Sequence, residues 1–310
     1  MSYYQQRNRN RLSIGQDGNS LTMLIAINLI IFVILAFIKV IYYFSEGNDG
    51  LASFNRNIFE WVTLPANLHK LTTRPWTIIT HMFVHDTVSV WHILANMLWL
   101  WAFGYILQDL TGNRKLVPIF IYGALGGALA YIVAFNLIAP LKQSLSVAEA
   151  YGASAGIMGI AIATTTIAPG YRIFPMLNGG IPLWVITVLY LIIDLATIPY
   201  NNPGGHIAHI AGGAMGFLFV NLLQKGSDWG LWMNNFFDWV VDLFNPDKPR
   251  KGKVIKSQLF YKSKIQPFKK TPLITQQRID EILDKINQKG YHSLTEEEKE
   301  MLKRASKEDL

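Results

Sequence analysis

The stretch YGASAGIMGIAIATTTIA, residues 151–168, carries no charged side chain. Its length approaches what a helix rising ~1.5 Å per residue needs to cross a ~30 Å hydrocarbon core. It is also crowded with glycine and alanine, which let neighbouring helices approach closely. The aliphatic hydroxyl of Ser154 stands near its start in Gly152-Ala153-Ser154-Ala155-Gly156. A second apolar stretch holds His209 at a matching depth, in Ala208-His209-Ile210-Ala211-Gly212-Gly213. A hydroxyl and an imidazole are the two groups needed to make and drive an oxygen nucleophile. The question outward from there is whether the chain can bring them together.

The 310 residues are 51% hydrophobic and only 16% charged, and the average hides a split between an apolar body and a charged tail. No cysteine is present, which excludes a disulfide framework, a thiolate metal site and a cysteine nucleophile. The net charge of +7 invites a nucleic-acid reading, but the basic residues are placed as membrane topology places them, so no nucleic-acid partner is expected. The N-terminal apolar run, from about Leu21 to Phe44, is about twice the length of a signal h-region and is followed by no small-residue cleavage site, so it reads as a retained span.

Six segments are apolar enough to be membrane spans: 21–44, 88–108, 115–138, 151–168, 182–200 and 205–224. The fourth and sixth look short and rich in small residues, which predicts that they are buried among the others. Arg7, Arg9 and Arg11 precede the first span, nine Lys and Arg between Lys248 and Lys270 follow the last, and Arg114, Lys115 and Arg172 occupy loops on the same side. This bias puts both termini in the cytoplasm, as an even number of spans requires. The second, fourth and sixth spans then begin on the outer side. His92 with Asn96, Ser154 and His209 each fall within about two turns of those outer ends.

Each polar residue has two readings. Serine in a membrane helix commonly bonds back to a carbonyl, yet glycines at 152 and 156 clear space around this one. The setting resembles the exposed serine of G-x-S-x-G hydrolases, without the strand that precedes it there. An ionisable residue within a span is costly and usually faces a cavity or a partner; His209 does so, or it bonds a backbone carbonyl. His206, nearer the mouth, is either a metal ligand with His209 or an interface histidine. No third ligand stands at useful spacing, so no metal is expected. His92 and Asn96 share one helical face and could either join helices or donate to a developing oxyanion. Nothing in the sequence places Asp194 beside His209, and it is expected to bond locally to a neighbouring helix or to water. His81 and His85, with Trp76, Trp91, Trp99 and Trp101, read as an interfacial belt, and Lys39 as a snorkelling lysine.

Over about residues 74–224 these motifs resemble the rhomboid intramembrane serine proteases. Arg74-Pro75-Trp76-Thr77 and Thr80-His81-Met82-Phe83-Val84-His85 look like the loop leading into the second span, and His92-Ile93-Leu94-Ala95-Asn96 like the H-x-x-x-N pattern. Gly152-Ala153-Ser154 looks like the nucleophile motif, and Ala208-His209-Ile210-Ala211-Gly212-Gly213 like that of the sixth span. The resemblance implies an all-α polytopic bundle of six transmembrane helices. It also implies a Ser–His dyad without an aspartate: Ser154 as nucleophile and His209 as general base and then acid. His92, Asn96 and the Ser154 backbone N–H would stabilise the oxyanion. Gly152, Met158 and His206 are supporting candidates, and no cofactor is implied. Its substrates would be transmembrane helices cut near their outer ends, with the long outer loop and fifth span as candidates for membrane contact and lateral gating. Three departures stand out: Ala155 where glycine is usual after the nucleophile, Met158 where an aromatic ring often packs on the histidine, and a longer gap between His85 and His92.

The expected organisation is a cytoplasmic tail at 1–20, a six-span domain at 21–225, an interfacial amphipathic helix and basic linker at 226–270, and a small helical module at 271–310. Residues 229–244 would otherwise be a seventh span burying Asp238 and Asp242. The basic stretch 248–270 suits an anionic inner leaflet. In the module, Ile279, Ile282, Leu283 and Ile286 form a stripe ended by Gly290, and Ser293-Leu294-Thr295-Glu296 reads as a capping box. A contact with a second copy or another protein is its hypothesised role. The tail and the resemblance together suggest a bacterial inner membrane. Two other classes compete: a catalytically silent rhomboid-like protein that binds or delivers membrane clients, and a small channel or transporter with His92, His209 and Asp194 as a proton path. The silent relatives usually lack the serine or the histidine, and no inverted repeat supports a transporter.

Overall fold

A computed structural model describes residues 19–174, 176, 179–199, 202–243 and 276–306. The basic stretch 248–270 and nearly all of the N-terminal tail lie outside the described residues. The chain divides into two compact units, Met1–Pro246 and Asp247–Leu310.

The first unit is built on six apolar helices: α1 (Ser20–Glu46), α2 (Val90–Thr111), α3 (Asn113–Leu137), α4 (Ser154–Ile167), α5 (Leu183–Thr197) and α6 (Pro203–Gln224). Four of them, α1, α2, α3 and α6, are long and apolar enough to cross a membrane; α4 and α5 are shorter. At 14 and 15 residues they reach about 21 and 22 Å. The sixth helix, expected to be short, has 22 residues and carries Phe217 and Leu218 on an exposed face. Small residues misled there because they mark one contact stripe of a helix, not its whole circumference. The fourth is short and buried along most of its length.

Small residues decide the packing of α4 against α3 and α6. A Cβ on Gly212 would lie 2.2 Å from the carbonyl oxygen of Ala155, and one on Gly216 would lie 2.0 Å from that of Gly159. No side chain fits there, so α4 and α6 touch backbone to backbone. Deeper in, Leu100, Leu107, Leu116, Phe120, Ile157, Ile160, Phe219 and Val220 form the apolar core. The outer surface of α1 and α5 stays apolar: Val33, Phe37 and Phe44, and Trp184, Leu189 and Ile192, are all exposed. Such a surface requires an apolar solvent, and the molecule is an integral membrane protein.

Residues 47–89 fold over one end of this bundle. Strand β1 (Leu64–Pro65) pairs antiparallel with β2 (Glu149–Ala150), Leu64 opposite Ala150. Buried Arg74 ties the loop to that strand. It bonds the Glu60 carbonyl and lies 3.5 Å from the Glu60 carboxylate and 3.9 Å from that of Glu149. Its guanidinium also sits 5.7 Å from the Trp61 ring centroid, and Trp61 stacks on Trp76. His81 and His85 are not at an interface: both are buried, because this segment turns inward with Met82 and Val84. The Nζ of Lys39 donates to the Thr87 carbonyl at 3.1 Å, in the loop before α2.

Helix α7 (Leu231–Leu243) follows the sixth helix. Its 13 residues reach about 20 Å, close to the lengths of α4 and α5. It is fastened to the start of α3: Asn234 Nδ2 donates to the Arg114 carbonyl at 3.0 Å, and Arg114 pairs with Asp238 at 3.1 Å. Trp232, Phe236 and Trp239 remain exposed.

The second unit pairs α8 (Gln276–Lys289) with α9 (Glu296–Ala305) around buried Ile282 and Leu294. Gly290 turns the chain at φ 77°. The capping box sits two residues later than the sequence suggests: Thr295 N–H donates to Glu298 Oε2 at 2.8 Å, and Glu298 N–H to Thr295 Oγ1 at 3.3 Å.

Candidate active site

A cavity of about 630 Å³ opens where α2, α4, α5 and α6 meet beneath the 47–89 loop, and Ser154, His209, His92, Asn96 and His206 all line it. Ser154 is the first residue of α4. The two-residue strand β2 ends just before it, and Gly152 makes the turn at φ 126°, a conformation that glycine alone adopts comfortably. A strand–turn–helix thus carries the serine after all; two residues of strand leave no periodicity to read. The Gly152 N–H is fixed by the His81 carbonyl at 3.0 Å.

Ser154 Oγ lies 2.7 Å from His209 Nε2. The other ring nitrogen, Nδ1, lies 3.0 and 3.1 Å from the two carboxylate oxygens of Asp194. A carboxylate only accepts, so Nδ1 carries the proton and Nε2 presents its lone pair to the hydroxyl. That is the tautomer able to take a proton from Ser154.

His92 is oriented by a similar argument. The Asp86 N–H donates to its Nδ1 at 3.4 Å, which leaves the ring proton on Nε2. That edge points at Gly152: a Cβ there would sit 3.3 Å from His92 Nε2 and 3.5 Å from Ser154 Oγ. The missing methyl is therefore a small space bordered by an N–H donor and the hydroxyl. Asn96, one turn on, donates through Nδ2 to the His92 carbonyl at 2.8 Å and has a second amide hydrogen left to give. Met158 is fully buried beside Gly213. His85 packs on His92 with ring centroids 5.3 Å apart, and its ring nitrogens have no hydrogen-bond partner among the described residues.

Asp194 is the group sequence reasoning left out. It is buried and bonds both histidines of α6, His206 Nδ1 at 2.7 Å as well as His209. The signal was available: a carboxylate in an apolar stretch must find a donor, and the next span offers His206 and His209. The three groups lie close enough together to hold a metal ion, so Asp194 supplies the third ligand that the sequence spacing did not offer; as they stand, their separations of 2.7–3.1 Å are hydrogen bonds.

A family model described as Rhomboid domain matches residues 72–226, half of the chain. A second, a family of unknown function (DUF6576), matches residues 268–308. The chain is 28% identical over 162 residues to Rhomboid protein 1, mitochondrial, of Saccharomyces cerevisiae, covering 48% of this chain and 42% of that protein. It is 24% identical to RHOMBOID-like protein 12, mitochondrial, of Arabidopsis thaliana, covering 48% of this chain and 47% of that one. It is 32% identical over 71 residues to Rhomboid protease GlpG of Salmonella newport, 23% of this chain and 25% of that protein. The chain thus spans less than half the length of each of these relatives.

Proposed function

The chain belongs to the rhomboid family, and on that premise we propose that it is a serine endopeptidase that cuts transmembrane-helix substrates near the outer membrane face. The observation that carries this reading is the 2.7 Å approach of Ser154 Oγ to a His209 Nε2 whose partner nitrogen is already occupied.

Ser154 Oγ attacks the scissile carbonyl carbon while His209 Nε2 takes its proton. The carbonyl oxygen, now anionic, receives hydrogen bonds from His92 Nε2–H, Asn96 Nδ2–H and the Ser154 backbone N–H. The last lies at the N-terminus of α4, where the helix dipole favours negative charge. Nε2–H then protonates the leaving amine, the C–N bond breaks, and an ester to Ser154 remains. Water enters through the open cavity and attacks the ester carbon while His209 takes its proton. The bond from that carbon to Ser154 Oγ then breaks, His209 returns the proton to Oγ, and the acid product leaves.

The six apolar helices are read as six passes with both termini on the inner side. Helix α4, short as it is, is surrounded by protein and does not have to match the lipid thickness. Substrate entry is assigned to the seam between α2 and α5, where Trp99 and Tyr190 stack at 5.5 Å. Helix α5 buries only Leu183, Thr187 and Asp194, so it is the wall most easily moved. The exposed rings of α7 are assigned to the inner interface. A bacterial inner membrane is the proposed residence: one relative is a Salmonella protein, while the yeast and Arabidopsis relatives are named as mitochondrial.

The test is cleavage of a model transmembrane substrate in proteoliposomes by the intact protein, Ser154→Ala and His209→Ala. Cleavage by the intact protein alone is expected. Failure of the intact protein on several substrates, together with no labelling by a fluorophosphonate, would move the client-binding reading to the front.

A further inference from the structure

His209 can serve as a base only while its lone pair faces Ser154, and neither the serine nor the packing of α6 determines which ring nitrogen holds the proton. Asp194 does. It sits on α5, 3% exposed, with both carboxylate oxygens within 3.1 Å of His209 Nδ1. It cannot swing away, because His206, one turn earlier on α6, holds Oδ1 at 2.7 Å. The two rings stand at 88° to each other, so each donates to the carboxylate from its own side.

We propose that Asp194 is a positioning residue for His209, holding its proton on Nδ1 and balancing the charge the ring gains when Ser154 surrenders its proton. The inference rests on the serine-protease reading and adds a member to the expected dyad: hydroxyl on α4, imidazole on α6, carboxylate on α5. An uncompensated carboxylate among apolar helices is costly, and here its compensation comes from His206 and from the reacting ring itself. When His209 becomes imidazolium, the bond to Asp194 becomes an ion pair, a contact stronger in the reacting state than in the resting one. Because the carboxylate rides on α5, outward movement of that helix would also withdraw it from His209.

The test compares cleavage kinetics of the full chain in proteoliposomes with those of Asp194→Asn and Asp194→Glu. In Asp194→Asn, kcat should fall by about 100-fold or more, as when a triad aspartate is amidated, with KM changed less than about threefold. Asp194→Glu should recover part of the loss. The acidic limb of the kcat/KM profile should move in Asp194→Asn, since the carboxylate that faces the general base is gone. The titratable groups facing His209 are Asp194 from α5 and His206 on its own helix, with Tyr190 of α5 and His92 of α2 lining the same cavity. A purely architectural carboxylate would leave that limb in place. Should the variants misfold, ¹⁵N-histidine NMR of the unaltered protein reads the tautomer directly: protonated Nδ1 on His209 supports the proposal, and protonated Nε2 overturns it. Full cleavage by Asp194→Asn with an unmoved limb, beside an inert Ser154→Ala, overturns the positioning role and leaves the protease reading standing. Inactivity of the unaltered protein, with no fluorophosphonate labelling, removes both.

Discussion

Gly212 and Ala155 meet with no room for a methyl group between them: a Cβ on Gly212 would stand 2.2 Å from the Ala155 carbonyl oxygen. Ala155 follows Ser154, and Gly212 lies three residues after His209, so this contact sets the distance between hydroxyl and imidazole. In Gly212→Ala the helices must part by more than 1 Å to reach ordinary contact. Misplacement on that scale costs on the order of 100-fold in rate, and overpacking costs about 1–3 kcal/mol. Cleavage should fall by at least that factor and the thermal midpoint should drop. Undiminished cleavage would show that the two helices can separate without disturbing Ser154 and His209.

Gly152 offers a test of the space beside Ser154 that does not depend on helix packing. Gly152→Ala would put a methyl 3.3 Å from His92 Nε2 and 3.5 Å from Ser154 Oγ, at a φ of 126° that alanine resists. The strain is about 1–3 kcal/mol, and the methyl occupies the space assigned to the oxyanion. kcat should fall by about 100-fold, the loss typical of a weakened oxyanion site. Fluorophosphonate labelling should slow in parallel. Labelling at the normal rate would place the oxyanion elsewhere.

Much of this architecture is legible in the sequence, and what is not has physical causes. The apolar stretches 21–44 and 205–224 lie within a few residues of Ser20–Glu46 and Pro203–Gln224, because long runs without charge leave a helix few places to end. Ser154 and His209, which stand 55 residues apart, could be paired in depth because topology alone sets depth. Asp194 escaped because its partners come from the next helix, at 12 and 15 residues' remove, where no periodicity links them. His81 and His85 were misplaced at the interface because their burial depends on a loop folding back into the bundle. That fold rests on the two-residue pairing of β1 with β2 and on Arg74, neither of which has a local pattern.

Arg74 should therefore govern the stability of the loop more than the chemistry. Its guanidinium is buried against Glu60 and Glu149, and Glu149 lies in the strand that leads into the Ser154 turn. Removing one member of such a cluster leaves buried charge unpaired; with Glu60 partly exposed, Arg74→Ala should cost about 2 kcal/mol. Arg74→Lys should not restore it, since an ammonium cannot reach both carboxylates and the Glu60 carbonyl as a planar fork does. The measurement is the thermal midpoint of the purified protein, with limited proteolysis of residues 47–89 as the local readout. A normal midpoint for the lysine variant would argue that charge alone holds the loop.

Acid should loosen the same region for a separate reason. Burial lowers the His81 ring from 6.5 to about 4 despite its hydrogen bond to the Thr77 carbonyl, and burial, aided by the neighbouring His92 ring, lowers His85 to about 4. Above pH 6.5 both rings are neutral whether the chain is folded or not, and their contribution to stability is complete. Between 6.5 and about 4 the unfolded chain binds protons that the folded one refuses, so stability falls as pH falls. The loss reaches on the order of 3 kcal/mol per ring at the lower end. Thermal midpoints should hold between pH 7.5 and about 6.5 and then decline down to pH 4.5. His85→Leu, which removes a buried ring whose nitrogens have no partner among the described residues, should decline about half as steeply. Parallel curves for the two proteins would mean that His85 takes up its proton without opening the fold.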